Sequence, residues 1–342
     1  MKKFRIVFTD LLLFSLLGYT LFQVPLTVYG LGQARGQFLI VWNAKDIKEL
    51  IATGKFNQEE TEKLLLVEKI KTFSVDSLNY KPSPNYTNYF DQQGKSLLWI
   101  VTACRPFKFE DYEWDFPYLG KVSYRGYFDS LKAEKEGKRL KKLGYDIDVG
   151  KVNAWSTLGW FKDPVFSEML KKHKGELANL LFHELFHGTI YAQNSVDLNE
   201  NLANFIAHKA TMQFLQKDST ELNLYLKDHA EEALYDKFIF KCIGRLDSLY
   251  KTFSPVPDDK IKKEKKIKLL HSFTDELKDQ DLLPEKTRKK MKKRFLRSGN
   301  AYFMHFTRYD GLADSLEGVL QKKYRGNLSE MIKGLRTEIK SL

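Results

Sequence analysis

The chain is poor in several things, and each shortage excludes something. It has two cysteines, Cys104 and Cys242, in 342 residues. That excludes a disulfide framework, and neither their number nor their spacing suits a thiolate metal site. Far apart and each in an apolar setting, they are either a pair joined in an oxidising compartment or two buried thiols. No internal repeat recurs and no low-complexity tract appears, which argues against a solenoid or a disordered arm. No recognised nucleic-acid-binding motif accompanies the net charge of +12, so nucleic acid is not an expected partner. Histidine is also scarce, at seven. What is plentiful is apolar surface: 43% hydrophobic and 14% aromatic residues can core one large domain or two smaller ones.

Charge is missing altogether from residues 11–34. Within them L-L-L-F-S-L-L-G-Y-T-L-F-Q-V-P-L-T-V-Y-G-L runs for 21 residues, enough for a membrane helix and longer than a typical signal core. No small-residue cleavage site follows it, and no nearby cysteine can take a lipid. The run therefore reads as an uncleaved N-terminal transmembrane anchor, with a cleaved signal segment as the alternative. Pro25 can kink or end it. Lys2, Lys3 and Arg5 precede the run and favour a cytoplasmic N-terminus. The expected division is an N-terminal anchor over residues 1–34 and a domain over residues 35–342. The expected localisation is single-pass in an inner membrane, with the domain on the periplasmic or outer face.

Positive charge is concentrated in residues 260–297, where 15 Lys and Arg face six Asp and Glu. This stretch reads as charged helices around Leu269, Phe273, Leu277, Leu282 and Leu283, broken at Pro284. A solvated helical face is the plain reading, and a patch facing anionic lipid is the other.

The scarce histidines gather at one point. His183-Glu184-Leu185-Phe186-His187 places two imidazoles four residues apart, one turn apart on one helix face. There they can grip one metal ion, and the glutamate between them can take a proton from a water on that ion. This is the H-E-x-x-H arrangement of zinc peptidases. Glu184 is the only formal charge from Leu177 to Gln193, and a carboxylate in such an apolar helix is costly unless compensated. The plain alternative is a buried helix whose histidines bond backbone groups and whose glutamate pairs with a distant Lys or Arg.

A catalytic zinc takes three protein ligands and keeps one position open. Glu200, at the start of a second predicted helix, is the expected third. Glu200, Ala203, Asn204 and Ala207 share a face of small residues that lets this helix approach the first. Asp197 is the second choice, and His208 the next. Asp197 and Glu200 also read as a capping box. The longer motif H-E-x-x-H-x-x-G-x-x-H is excluded, because Ile190 and Gln193 stand where Gly and His are needed. A glutamate from a following helix is the gluzincin solution, and Asn199-Glu200-Asn201-Leu202-Ala203 has its N-E-x-x-A form.

From here the sequence resembles a known family, the bacterial predicted aminopeptidases. The likeness is carried by Tyr29-Gly30-Leu31-Gly32-Gln33-Ala34-Arg35-Gly36-Gln37 and Val101-Thr102-Ala103-Cys104. Phe116-Pro117-Tyr118-Leu119-Gly120 and Tyr124-Arg125-Gly126-Tyr127-Phe128 continue it. Trp155-Ser156-Thr157-Leu158-Gly159-Trp160-Phe161-Lys162-Asp163-Pro164 then leads into the zinc helix. Around Asn300-Ala301-Tyr302 it is weaker but visible. The resemblance implies a zinc-dependent peptidase with one Zn2+ ion and a peptide substrate.

The expected mechanism uses His183, His187 and Glu200 as ligands and Glu184 as general base. Tyr302 is the first candidate for stabilising the oxyanion, with Tyr127, His208 and His305 as rivals. Thr157 and Gly159 lie in a segment suited to a sheet edge that pairs with substrate backbone, or to an ordinary buried strand. No acidic group for a substrate's free amine stands out, so aminopeptidase and endopeptidase remain open. A non-enzymatic binding protein keeping the fold is the third reading.

Periodicity predicts helix over residues 43–73 and 133–143, and strands over 96–102, 118–124 and 145–155. Mostly helix follows from Phe166, with breaks near Pro255-Val256-Pro257 and Gly299. The expected fold is α+β and zincin-like: a mostly helical domain with a small β-sheet, preceded by one N-terminal transmembrane helix.

Overall fold

The computed structural model describes residues 27–116, 120–152, 162–193, 195–254, 258–279, 285–304, 306 and 312–339. Thr157, Gly159 and His305 lie outside the described residues, as do residues 1–26.

Residues 27–43 form helix α1. A short strand, β1 (Lys45–Asp46), leads into α2 (Ile47–Ala52), and α3 (Gln58–Asp76) follows. The single helical stretch expected over 43–73 is thus broken. Gly54, at φ +67°, takes a left-handed conformation that ends α2. Asn57 then caps α3: Glu60 N donates to its Oδ1 at 2.8 Å, and Asn57 N donates to Glu60 Oε2 at 3.1 Å. That reciprocal pair is a capping box.

The strands build small sheets rather than one. β2 (Asn88–Phe90) pairs antiparallel with β1 and parallel with β8 (Val165–Phe166). β3 (Leu98–Cys104) lies between β6 (Tyr124–Tyr127) and β7 (Asp146–Val152), antiparallel to both. β4 (Trp114–Phe116) pairs antiparallel with β5 (Gly120–Val122). Val101 and Ala103 on one face of β3 and Thr102 and Cys104 on the other are all buried, so both faces of this middle strand are covered. Helix α4 (Ser130–Lys142) and the single-turn α10 (Asn300–Phe303) both pack on β3 and β7.

The main core surrounds helices α5 (Lys174–His187) and α6 (Val196–Leu215). It draws Leu64, Val67 and Ile70 from α3, and Met331 and Ile332 from α12 (Leu328–Glu338). Phe182 and Phe186 are fully buried there, each worth about 1.5–3 kcal/mol of apolar burial. A second core joins α7 (Ser219–Lys251), α8 (Asp259–Asp279), α9 (Glu285–Ser298) and α10. Cys104 and Cys242 are both free and buried, and burial pushes each thiol up to about 12.

Two expectations need correction. The fold is mostly helical α+β with small sheets, but the described residues do not supply the transmembrane helix expected before it, most of whose span, residues 11–26, lies outside them. Among the described residues no helix is long and apolar enough to cross a membrane. The end of the apolar run, residues 27–34, belongs instead to α1, which continues through Arg35 to residue 43. It spends its polar groups on protein: Tyr29 Oη and Gln33 Nε2 both donate to Gly126 O at 2.9 Å. A single-pass inner-membrane localisation is therefore not supported by the described residues.

The basic segment is also more than a solvated or lipid-facing surface. Arg294 donates to the buried Asp148 of β7 at 2.6 Å, and Ser298 Oγ donates to the same carboxylate at 2.6 Å. Lys266 is buried and pairs with Asp146. Part of the positive charge of α8 and α9 is therefore held against the acidic residues of β7.

Candidate active site

Helix α5 turns one face wholly inward. Leu177, Ala178, Leu181, Phe182, Leu185 and Phe186 are buried in the main core. His183 and Glu184 sit at its margin and are only partly buried. Ala203, Ala207 and Ala210 of α6 are fully buried, and their small side chains let the two helices approach closely.

The connection between these helices is held by one residue. Asn199 is buried; its Nδ2 donates to Ala192 O at 2.7 Å and its Oδ1 accepts from Ala192 N at 2.7 Å. Ala192 lies just beyond α5, and Asn199 precedes Glu200 in the first turns of α6. This double bond sets where Glu200 starts its reach. Asp197 does not cap α6, because the N-cap is Ser195, which makes no side-chain cap bond. Asp197 instead receives Asn201 Nδ2 on its backbone oxygen at 2.7 Å.

His183, His187 and Glu200 meet at one point. Their Nε2 atoms are 3.1 Å apart, and each is 3.4 Å from one Glu200 oxygen, Oε2 for His183 and Oε1 for His187. Among the described residues this is the one cluster of three His, Cys, Asp or Glu side chains placed to hold a metal ion. The triangle suits zinc: bonds of about 2.0–2.1 Å in tetrahedral geometry put ligand atoms roughly 3.3 Å apart. His187 Nδ1 is buried without a hydrogen-bond partner, so the polar contacts of that ring are made through Nε2.

Electrostatics follow from the same closeness. Burial alone would push His183 down, but the hydrogen bond with Glu200 and the charges of Glu184 and Glu200 leave it above its ordinary value. Burial and the neighbouring His183 push His187 down to about 4. Burial would raise the Glu200 carboxyl, yet its bond to His183 and the charge of both histidines hold it below the usual range.

A cavity of about 310 Å³ opens beside the triangle, and His183, Glu184, Asn204, Asp228, His229 and Glu232 are among the residues that line it. Glu184 therefore faces the same space as His183. Glu176, another lining residue, adds a third carboxylate to Asp228 and Glu232. None of these acids was singled out in the sequence, because α7 supplies two of them from a distant part of the chain.

Tyr86 is another residue the sequence did not reveal. Its hydroxyl is buried with no hydrogen-bond partner, and its backbone sits at φ +60°, a costly conformation for an aromatic residue. Burial first, then the charges of Glu184 and Asp163, push the phenol well above its ordinary value. Tyr86 N donates to Asp163 O at 2.6 Å, and Asn85 and Asp163 exchange side-chain bonds at 3.2 and 3.3 Å. These contacts hold the strained residue in place.

Of the expected oxyanion candidates, Tyr302 and Tyr127 lie in other cores, and His208 lies behind the cavity wall against Tyr225 and His229. Tyr302 Oη is 2.6 Å from Tyr235 Oη, deep in the second core. Tyr127 packs edge-on against Tyr29 in the β3–β6 core. His208 Nδ1 is 2.9 Å from Tyr225 Oη, and its ring stacks on His229 at 3.8 Å. Burial and the neighbouring His229 push His208 down to about 4. Of the expected catalytic and metal residues, the structure gathers His183, His187, Glu184 and Glu200.

The paired histidines, the glutamate between them and the carboxylate from the next helix agree with the kinship read from the sequence. The chain belongs to the putative aminopeptidase family. The family model, described as "Putative aminopeptidase", matches residues 28–337. This span takes in nearly every described residue, so the family is one of the whole fold and not of the metal helix alone. No curated protein and no solved structure matched the chain. The family description supports a peptidase role and names no cofactor.

Proposed function

We propose that this member of the putative aminopeptidase family is a zinc-dependent aminopeptidase. The observation that carries the proposal is the triangle of His183, His187 and Glu200, with sides of 3.1, 3.4 and 3.4 Å, beside a cavity that Glu184 also lines. Two imidazoles and one carboxylate are a zinc donor set that leaves a fourth position open. A zinc ion bound there supplies a Lewis acid that polarises the scissile carbonyl and brings the pKa of a water toward neutrality.

The chain's own residues do the rest. Glu184 takes the proton of the attacking water and returns it to the leaving amine. Asp228, Glu232 and Glu176 line the cavity with Lys172; Lys172 lies 3.7 Å from Glu176 and His173 3.0 Å from Asp228, so the three carboxylates still outnumber the lysine. A substrate's free ammonium would find its counter-charge there, which favours cleavage at an amino terminus over cleavage within a chain.

The test compares parent and Glu184→Gln on amino-acid anilides with free and with acetylated amino termini. Glu184→Gln should keep one zinc per chain and lose about 10²–10⁴-fold in kcat, the usual worth of a general base. Unchanged kcat in this variant defeats the mechanism. Equal cleavage of free and acetylated substrates by the parent defeats the aminopeptidase assignment and leaves an endopeptidase.

A further inference from the structure

The segments over residues 29–37 and 124–128 carry much of the family likeness, yet the peptidase chemistry uses neither. The fold brings them together. Helix α1 lies on β6, held by the bonds from Tyr29 and Gln33 to Gly126 O. Gly36 allows the close approach, since a Cβ there would come within 2.1 Å of the Phe128 ring. At Gly32 a Cβ would meet only Lys132 Nζ, at 4.0 Å, so this glycine leaves room where Gly36 leaves none.

Between α1, β6 and α4 lies a cavity of about 420 Å³, within the range of small-molecule sites. It shares no lining residue with the cavity beside the histidines. Its wall is aromatic: Tyr29, Tyr127 and Phe128 line it. Arg125 lies over the Tyr29 ring at 4.0 Å and within 5.6 Å of the Tyr127 ring centre, while its Nε is buried without a hydrogen-bond partner.

Charge in the cavity is unbalanced. Arg125, Lys132, Lys135 and Arg139 face only Asp129 and Glu136. Both carboxylates are already engaged. Asp129 caps α4, accepting from Leu131 N at 2.9 Å. Glu136 takes two bonds from Arg139 and one from Trp114 Nε1, all at 2.8 Å. Among the described residues neither Lys132 nor Lys135 forms an ion pair. Two positive charges are therefore left over, beside an aromatic wall and an unused guanidinium donor.

We propose that this cavity binds an organic phosphate monoester, its phosphoryl group on Arg125, Lys132 and Lys135 and its apolar body against Tyr29, Tyr127 and Phe128. A phosphate monoester carries about −1.5 to −2 at pH 7, which matches the surplus, whereas a carboxylate leaves half of it unpaired. Arginine offers a forked donor to such a group and lysine a point charge. The carrier can be a soluble metabolite or a lipid headgroup, and the phosphoryl chemistry is common to both.

Calorimetric titration of the whole chain with phenyl phosphate, dihexanoyl phosphatidic acid, inorganic phosphate and phenol tests this. At least one phosphoryl ligand with an apolar body should bind tenfold or more tightly than inorganic phosphate or phenol. Tighter binding of phenyl phosphate assigns a soluble carrier; tighter binding of the phosphatidate assigns a lipid. The Lys132→Ala/Lys135→Ala double variant alters side chains with no ion partner, so it should fold normally and lose at least tenfold in affinity. Arg125→Gln should lose as much, with an unchanged melting temperature required for that comparison to count. If no phosphoryl ligand exceeds inorganic phosphate, or if the double variant binds as the parent does, the site is not what we propose.

Discussion

At the residue scale, Asn199 and Glu200 stand side by side with different duties. Glu200 supplies two oxygens to the histidine pair, and Asn199 supplies two bonds to the loop that delivers it. Glu200→Ala should abolish stoichiometric zinc, because two protein ligands remain where three are needed. Asn199→Ala leaves all three ligands but removes both partners of the part-buried N–H and C=O of Ala192. Losing these two bonds should cost about 1–2 kcal/mol, read as a lower melting temperature, with weakened rather than absent zinc. Atomic absorption and thermal melts on the two variants separate the duties. Zinc retained in full by Glu200→Ala would move the third ligand elsewhere. The spacing of His183, Glu184 and His187 was legible because helical geometry alone places them. Tyr86 was not legible, since nothing in Asn85-Tyr86-Thr87 announces a left-handed tyrosine beside a distant glutamate.

At the element scale, most helices and strands follow their local signals. The strands over 98–104 and 146–152 overlap the stretches expected over 96–102 and 145–155, and the break at Gly299 reflects its φ of +51°. A Cβ at Gly299 would also strike Asp146 Oδ2. The partner of the basic helices was not legible, because an excess of Lys and Arg does not say which carboxylate it will meet. Asp148 has a fully buried side chain bonded to Arg294 and Ser298. Asp148→Asn should destabilise the fold by about 2–3 kcal/mol, toward or below the low end for breaking a buried pair because Arg294 is partly exposed. A lower urea midpoint with unchanged zinc content is the expected result. An unchanged midpoint would show that the Asp148 bonds do not help hold the basic helices to the sheet, leaving Asp146 and apolar packing to do so.

At the scale of the whole molecule, the proposed metal site joins α5 to α6 at the margin of the largest core. A ligand that binds only the folded state stabilises it by mass action, about 4 kcal/mol at a thousand times its dissociation constant. A chelator should therefore lower the melting temperature by several degrees, and added zinc should restore it. Magnesium should not restore it, since a hard ion prefers oxygen to imidazole. A melting temperature indifferent to chelation would count against a resident metal.

The sequence by itself determined the α+β class, the one-face spacing of His183, Glu184 and His187, and the reach of a second helix toward them. These rest on short-range periodicity and on small residues at helical spacing, which depend little on the rest of the chain. Only the tertiary structure decided which acids face the cleft, which tyrosine stands beside Glu184, and where α1 spends its polar groups. Those choices join residues tens to hundreds of positions apart, and no local pattern records the partner. The apolar run near the N-terminus shows the difference most plainly. Hydropathy counts the cost of exposing side chains to water, but not the hydrogen bonds by which Tyr29 and Gln33 tie α1 to β6.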